Sequence, residues 1–442
     1  MDLLYNVLNY KEHYLLFDGR SYSLLEIKPV TKDILPLHAL PLSKIMSNLK
    51  GRYNEQEIIE ANTDINQLIE LGILSVKDDL CIESPTLDKL ILLLDENCNL
   101  ACRYCFENGK KNIEHSRRKM TPRTIDACYD FLFRNSKNKS VNIQFYGGEP
   151  LLNKDGLIYA VERGIERSSA KHKDINFLLI TNGTLIDDKI AEFLSKNNVT
   201  VQISIDGDRK GHDANRVFKN GEGSYAHVRS GLEKLISYEV ICNVMVVASK
   251  QVLDSVGWLQ ELSQKINGVL AISSSATENV ELQPTDGQWQ NFIKAYQRYI
   301  SDSTNNYTSI DKSIYRIFKL YEQIKQGRRF YFGCGGGLSE LTIGHDGTIY
   351  LCERMEMKTE YNVNNQLLKA TDIWKPYINN ISHKKCSKCW AKYLCGGGCA
   401  HTARTINGKL LPYKWDCNIK QAEIMAAIKI LYNKRSRGEY EQ

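Results

Sequence analysis

The chain has 442 residues, 42% of them hydrophobic and 25% charged, and a formal net charge of +6, an ordinary globular composition that is long for one domain, so two or three are expected. No run approaches the roughly 18 apolar residues that span a bilayer. The opening MDLLYNVLNYKEHY lacks a charged leader followed by an apolar stretch, so neither a membrane helix nor a signal peptide is expected, and the protein is placed in the cytoplasm. The basic excess is spread along the chain; its densest runs, GKK and SRRKM, are short, which argues for a solvated surface and against a nucleic-acid partner.

Residues 1–85 read as a small α+β unit resembling a winged helix. HYLLFDGRSYSLLEI places two apolar runs around Asp18-Gly19, a hairpin signal. PLSKIMSNL and EQEIIEANTDINQLIELGIL follow with apolar residues at helical spacing, and Gly72 ends the last helix. Residues 86–275 alternate strands and helices: LILLLD, VNIQFYGG, NFLLITNG, VTVQISIDG, VICNVMVVAS and GVLAISSS are strands, with helices such as TIDACYDFLFRN and IDDKIAEFLSKNN between them. Nearly unbroken β-branched strands alternating with helices predict a parallel sheet. Six repeats are too few for a closed eight-stranded barrel, so an open partial barrel is expected, with function at the C-terminal strand ends. Residues 276–329, polar and Tyr-rich, read as a helical linker, and 330–442 as a cysteine- and glycine-rich unit with a hairpin, LTIGHDGTIYLCE, and a closing helix, IKQAEIMAAIKILYNKR.

There are thirteen cysteines. Without an export signal they are not expected to form a disulfide framework, and ten of them cluster, which points to metal or iron–sulfur ligation. Cys81, Cys128 and Cys242 stand alone among apolar residues and read as core. Cys98, Cys102 and Cys105 form a CX3CX2C loop directly after the first barrel strand. Three thiolates without a nearby histidine do not fill a zinc tetrahedron, whereas a [4Fe–4S] cluster takes three protein thiolates and leaves one iron open. A zinc site completed by a remote cysteine is the competing reading.

The triplet resembles the radical S-adenosylmethionine (SAM) superfamily, and the next strand ends continue the likeness. GGEP supplies Gly147, Gly148 and Glu149, TNG supplies Thr181 and Asn182, SIDG supplies Ser204 and Asp206, and HDANR supplies Arg216. The resemblance implies that Cys98, Cys102 and Cys105 hold the catalytic cluster. It assigns the GGEP residues to the SAM amino group, Ser204 to the ribose and Arg216 to the carboxylate, with Tyr104, Thr181, Asn182 and Asp206 in the same pocket. A glycine pair lets backbone approach a ligand, and a planar guanidinium suits a carboxylate.

The C-terminal cysteines read CX12GX4C, then CX2CX5CX3C, then Cys417. This resembles the seven-cysteine SPASM domain of radical enzymes that modify peptides, and implies two auxiliary [4Fe–4S] clusters, three in all. Cys386, Cys389, Cys395 and Cys417 would hold the distal one; Cys334, Cys352 and Cys399 the nearer one, with an open iron or Glu340 as fourth ligand. The implied fold is α/β: a partial (β/α)6 radical SAM barrel with an N-terminal winged-helix-like unit and a C-terminal SPASM domain. The implied activity is that of a maturase that takes hydrogen from a ribosomally made precursor peptide and installs a thioether or carbon–carbon crosslink. Residues 1–85 would bind the leader, and a flavodoxin or ferredoxin would donate electrons. Two alternatives stand beside it. One is an anaerobic sulfatase-maturing enzyme that oxidises Cys or Ser to formylglycine. The other is a metal-stabilised winged-helix DNA-binding regulator with zinc ribbons. Asp286 and Tyr296 are available as proton-transfer groups, but nothing in the sequence selects either.

Overall fold

The structure is a computed structural model. It describes residues 3–74, 86–105, 119–305, 312–354, 358–365, 368–373, 384–408 and 411–439. Cys81 lies outside them.

Three antiparallel strands open the chain: β1 (Tyr5–Tyr10), β2 (His13–Asp18) and β3 (Leu24–Ile27), in the order β1-β2-β3. The Asp18-Gly19 hairpin is the turn between β2 and β3; the pairing of Tyr5–Tyr10 with β2 is an addition to what the sequence suggested. Helices α1 (Pro29–Ile34), α2 (Leu42–Leu49) and α3 (Glu55–Glu70) follow. The last begins at a capping box, in which Asn54 accepts from the Glu57 N–H at 2.8 Å and the Glu57 carboxylate accepts from the Asn54 N–H at 3.0 Å. Leu16, Ile34, Ile45, Ile58 and Ile65 make a small separate core, while Leu15 and Phe17, on the other face of β2, join the main one. The period-two alternation of the strand feeds two cores at once.

Among the described residues the central sheet has nine strands. Six parallel ones, β4 (Lys89–Asp95), β5 (Ser140–Gly147), β6 (Asp174–Thr181), β7 (Thr200–Ser204), β8 (Cys242–Ala248) and β9 (Leu270–Ser274), run in sequence order, so the open six-stranded parallel sheet is present. Between them lie α4 (Pro122–Asn135), α5 (Lys154–Ala170), α6 (Asp188–Lys196), α7 (Arg209–Asp213), α8 (Tyr225–Ser237) and α9 (Trp258–Lys265). The sheet continues beyond β4: β10 (Glu340–Ile343) pairs parallel to it, and β11 (Thr348–Tyr350) and β12 (Lys358–Asn362) complete an antiparallel edge. The Asp346-Gly347 hairpin therefore extends the barrel sheet, a long-range pairing that the local pattern did not disclose. Cys128 and Cys242 are fully buried core residues.

Helices α10 (Asp286–Asn305) and α11 (Tyr315–Lys325) come from the stretch read as a linker, but they are packed elements. Trp289, Phe292, Tyr296 and Ile300 are buried against the long closing helix. After α12 (Ala370–Ile373) come α13 (Lys384–Ser387), which carries Cys386, α14 (Lys392–Cys395), which ends on Cys395, α15 (Ala400–Asn407), which starts just after Cys399, and α16 (Lys414–Ser436), which carries Cys417 and begins five residues before the run that predicted it. No helix among the described residues is long and apolar enough to cross a membrane.

Candidate active site

The thiol loop leaves β4 at Asp95, whose buried carboxylate accepts from the backbone and side-chain N–H groups of Asn97, each at 2.9 Å. Two backbone bonds, Ala101 N to Val217 O at 2.7 Å and Arg103 N to Asn215 O at 2.9 Å, zip the loop to the segment that holds Arg216. Gly148 N and Glu149 N donate to Asp95 O and Asn97 O at 2.9 and 2.8 Å, so the end of β5 is stitched to the same loop. Both glycines are required there. Gly147 sits at φ +140°, and a Cβ at 147 or 148 would fall on the carbonyl oxygen of Asp95 or Asn97.

One cavity of about 490 Å³ opens at these strand ends. Cys98, Cys102, Tyr104 and Cys105 line it, as do Gly147, Gly148, Thr181, Asn182, Ser204 and Arg216. Sequence reasoning assigned all of these to one pocket, and the fold brings them together. Glu149 and Asp206 do not line it. The Glu149 carboxylate is buried and accepts from Thr181 Oγ1 (2.6 Å), Asn182 N (2.8 Å) and Leu151 N (3.0 Å). Burial pushes its proton affinity up, to about 7, although the three donors favour the ionised form. Asp206 is likewise buried. It accepts from Tyr104 Oη, from Arg216 Nε at 2.9 Å and from Val247 N at 3.0 Å. These two acids hold lining residues in place.

Behind Arg216 lies a buried relay. His212 Nδ1 accepts from Asp206 N at 3.2 Å, His212 Nε2 lies 3.0 Å from Ser224 Oγ, and that hydroxyl donates to Arg216 O at 2.8 Å. Burial lowers the His212 proton affinity to about 3, so the ring is neutral and structural. Tyr146, Gln202, Met245 and Ser273 also line the cavity and were missed. Tyr146 and Ser273 sit next to strand C-termini, the signal that would have found them, whereas Gln202 and Met245 lie mid-strand. Glu353, Arg354 and His401 enter from the C-terminal unit, where only their closeness in sequence to Cys352 and Cys399 marked them.

A second cavity of about 500 Å³ is lined by Cys334, Cys386, Cys389, Cys395, Cys399 and Cys417. Burial is the main influence on the Cys386, Cys395 and Cys417 thiols, and their nearest charged neighbours include one another and Cys389. Cys334 instead neighbours Glu340, Cys399 and Glu353. Glu340 is already engaged by Lys89, at 3.1 Å. Asp286 pairs with Lys414 at 2.8 Å, and Tyr296 donates to Glu423 at 3.1 Å; neither lines the thiol-loop cavity.

The thiols suit iron–sulfur ligation. None of the twelve described cysteines is disulfide-bonded. Burial raises Cys98 to about 11 and Cys102 to about 12, so these sulfurs stay protonated unless a metal group takes the proton's place. Among the described residues no three His, Cys, Asp or Glu side chains close on one point as a single ion requires. The thiols are set around a volume.

Comparison with known proteins supports this chemistry. Residues 94–257 match the model of the radical SAM superfamily. A cysteine-type anaerobic sulfatase-maturating enzyme of Clostridium perfringens is 29% identical over 350 residues, 71% of this chain and 89% of that one. The radical SAM cyclopropyl synthase TigE of Paramaledivibacter caminithermalis is 27% identical over 227 residues, 45% of this chain and 46% of its own. The solved structure described as native anSMEcpe with bound AdoMet has the same fold, with a TM-score of 0.65 at 23% identity, and covers 78% of this chain and 98% of its own. The three-thiol loop, the glycine pair beside it and the match over residues 94–257 together give this chain a radical SAM domain and make it an enzyme of that chemistry.

Proposed function

We propose that this enzyme oxidises a cysteine or serine side chain within a peptide, by removing hydrogen from its β-carbon. The observation that carries this reading is the shape of the thiol-loop cavity. Barrel strand ends form part of its wall, and Glu353, Arg354 and His401 of the cysteine-rich unit form another. A substrate side chain entering there lies between the two sets of thiols. Several curated relatives that match over most of both chains are named sulfatase-maturating enzymes, which moves the weight from crosslinking toward side-chain oxidation.

Cys98, Cys102 and Cys105 would hold the catalytic cluster, and Gly147, Gly148, Ser204 and Arg216 the cofactor. Bound there, reduced S-adenosylmethionine supplies a carbon radical able to take a hydrogen atom from an unactivated carbon. The chain's own part is positioning. Arg216 is fixed by Asp206 and stacked over the Tyr104 ring, 5.4 Å from its centroid, and so offers its remaining N–H groups without reorganisation. Glu149 fixes Thr181 and Asn182, and Asn182 Nδ2 in turn donates to Asn99 Oδ1 at 2.8 Å, inside the thiol loop. The C-terminal thiols would hold two further clusters, able to accept the electron left after the hydrogen is removed.

A second reading, leader-guided crosslinking, is favoured by one feature: the N-terminal sheet presents β1 and β3 as edges, and an edge strand is where an extended peptide adds. One assay separates the two. The reconstituted enzyme, given a cysteine peptide, should replace CH2SH with an aldehyde. A product short of two hydrogens and joined between two residues would instead select the crosslink.

A further inference from the structure

Among the described residues, only two line both thiol-bearing cavities: Ser273, in β9, and Arg354, just after Cys352. Both have unsatisfied polar groups. The Ser273 hydroxyl oxygen is buried without a hydrogen-bond partner. Among the described residues the Arg354 guanidinium makes no ion pair and no side-chain hydrogen bond. Its neighbour Glu353 is turned to Cys352, with Oε2 3.7 Å from Sγ. Other arginines at these cavities differ. Arg216 is matched by Asp206 at 2.9 Å, and Arg316 by Glu423 at 3.6 Å. Arg354 is partly buried, its acidic neighbours Glu353 and Asp416 make no ion pair with it, and a guanidinium does not shed its charge, so its N–H groups are left to face the cavities. A cation and a hydroxyl left unmatched at one seam describe a site for an oxyanion. A guanidinium fork selects a carboxylate.

We propose that Arg354, with Ser273, anchors a carboxylate of the peptide substrate, so that acidic peptides are the preferred class. This rests on the peptide-oxidising reading above. The carboxylate belongs to an Asp or Glu near the target residue; a C-terminal carboxylate read in its place is the outcome that the amidated probes detect. Anchored there, the peptide spans from the cysteine-rich unit to the barrel, and its target side chain meets the thiol-loop cavity.

The test is equilibrium binding to the iron-reconstituted, SAM-loaded enzyme. The probes are a cysteine peptide flanked by aspartates, its asparagine counterpart, and both again with amidated C-termini. The wild type should bind the acidic peptide about tenfold tighter than its neutral counterpart, and the amidated pair identifies which carboxylate is read. Arg354→Gln should bind all four alike, with iron content and SAM affinity unchanged. Arg354→Lys should keep part of the discrimination, and Ser273→Ala should weaken the acidic peptide a few-fold. Equal binding of all peptides by the wild type overturns the proposal, and needs no variant to fold. So does discrimination that survives in Arg354→Gln. Loss of iron in that variant would assign the arginine to the thiolates, and loss of SAM affinity would assign it to the cofactor; either outcome also overturns the proposal. If the neutral peptide is oxidised as well as the acidic one, the anchor fails while the oxidation reading stands. If acidic peptides bind selectively but none is oxidised, the reverse holds.

Discussion

The Glu149 carboxylate accepts a hydrogen bond from the Thr181 hydroxyl at 2.6 Å, so a buried acid ties the end of β5 to the end of β6. With Asn182 N and Leu151 N it satisfies three donors. In Glu149→Gln one oxygen becomes an NH2 that cannot accept, leaving a buried N–H or hydroxyl unmet. The expected loss is about 1–3 kcal/mol of unfolding free energy, with weaker SAM binding. Urea unfolding at one pH checks it; an unchanged midpoint contradicts the pinning role.

The same acid predicts a pH trend. Burial, the largest influence, raises its folded-state pKa from 4.5 to about 7. The fold therefore prefers the protonated form. That contribution is fully present below about pH 4.5 and is lost as pH rises through about 7. The stability difference between wild type and Glu149→Gln should thus shrink across this window. A difference independent of pH would show that the three donors hold the acid ionised throughout.

Gly147→Ala should damage the site far more than its backbone conformation alone implies. Its Cβ would strike the Asp95 carbonyl, which is itself bonded to Gly148 N. Gly221 is also at positive φ, +89°, but has nothing within 4 Å of its Cβ position. Gly221→Ala should cost only about 1–2 kcal/mol and spare SAM binding, whereas Gly147→Ala should abolish it. Equal calorimetric affinities for the two variants would rule out close approach at the glycine pair.

The N-terminal unit leans on the cysteine-rich one. Phe17 meets the Trp390 ring edge-on, and a Cβ on Gly19 would fall on the Trp390 carbonyl, next to Cys389. Gly19→Ala should therefore reduce iron bound per chain as well as thermal stability. Full iron content with a normal melting temperature would mean that this contact is incidental.

Glu423 is buried with Arg316 at 3.6 Å, Lys420 at 3.0 Å and the Tyr296 hydroxyl at 3.1 Å. Glu423→Ala leaves two partly exposed cations without their acid, and the expected cost is about 1–3 kcal/mol. Thermal unfolding of the variant tests this; a loss under about 1 kcal/mol would show that water reaches the cluster.

Local sequence disclosed what depends on local physics. The six apolar runs became β4–β9, and the motifs at their ends lie around one cavity, because a parallel sheet delivers all its C-termini to one edge. The roles of Glu149 and Asp206 were hidden, since a motif does not say whether an acid faces the cavity or the core. The pairing of β10 with β4 joins residues some 250 positions apart, and no period predicts that. The helices of 276–329 were legible but their packing was not, because Trp289, Phe292 and Tyr296 are spaced by polar residues that form the outer face of a packed helix. Arg354 and His401 carry no motif, and only the fold brings them beside Cys98.

The most direct test is anaerobic turnover of the iron-reconstituted protein with SAM, a strong reductant and a cysteine peptide, following 5′-deoxyadenosine and peptide mass together. The wild type should release 5′-deoxyadenosine and convert the cysteine to an aldehyde, and Cys98→Ala should do neither. Undiminished SAM cleavage by Cys98→Ala, or a purified protein that carries zinc and no sulfide, would contradict the account.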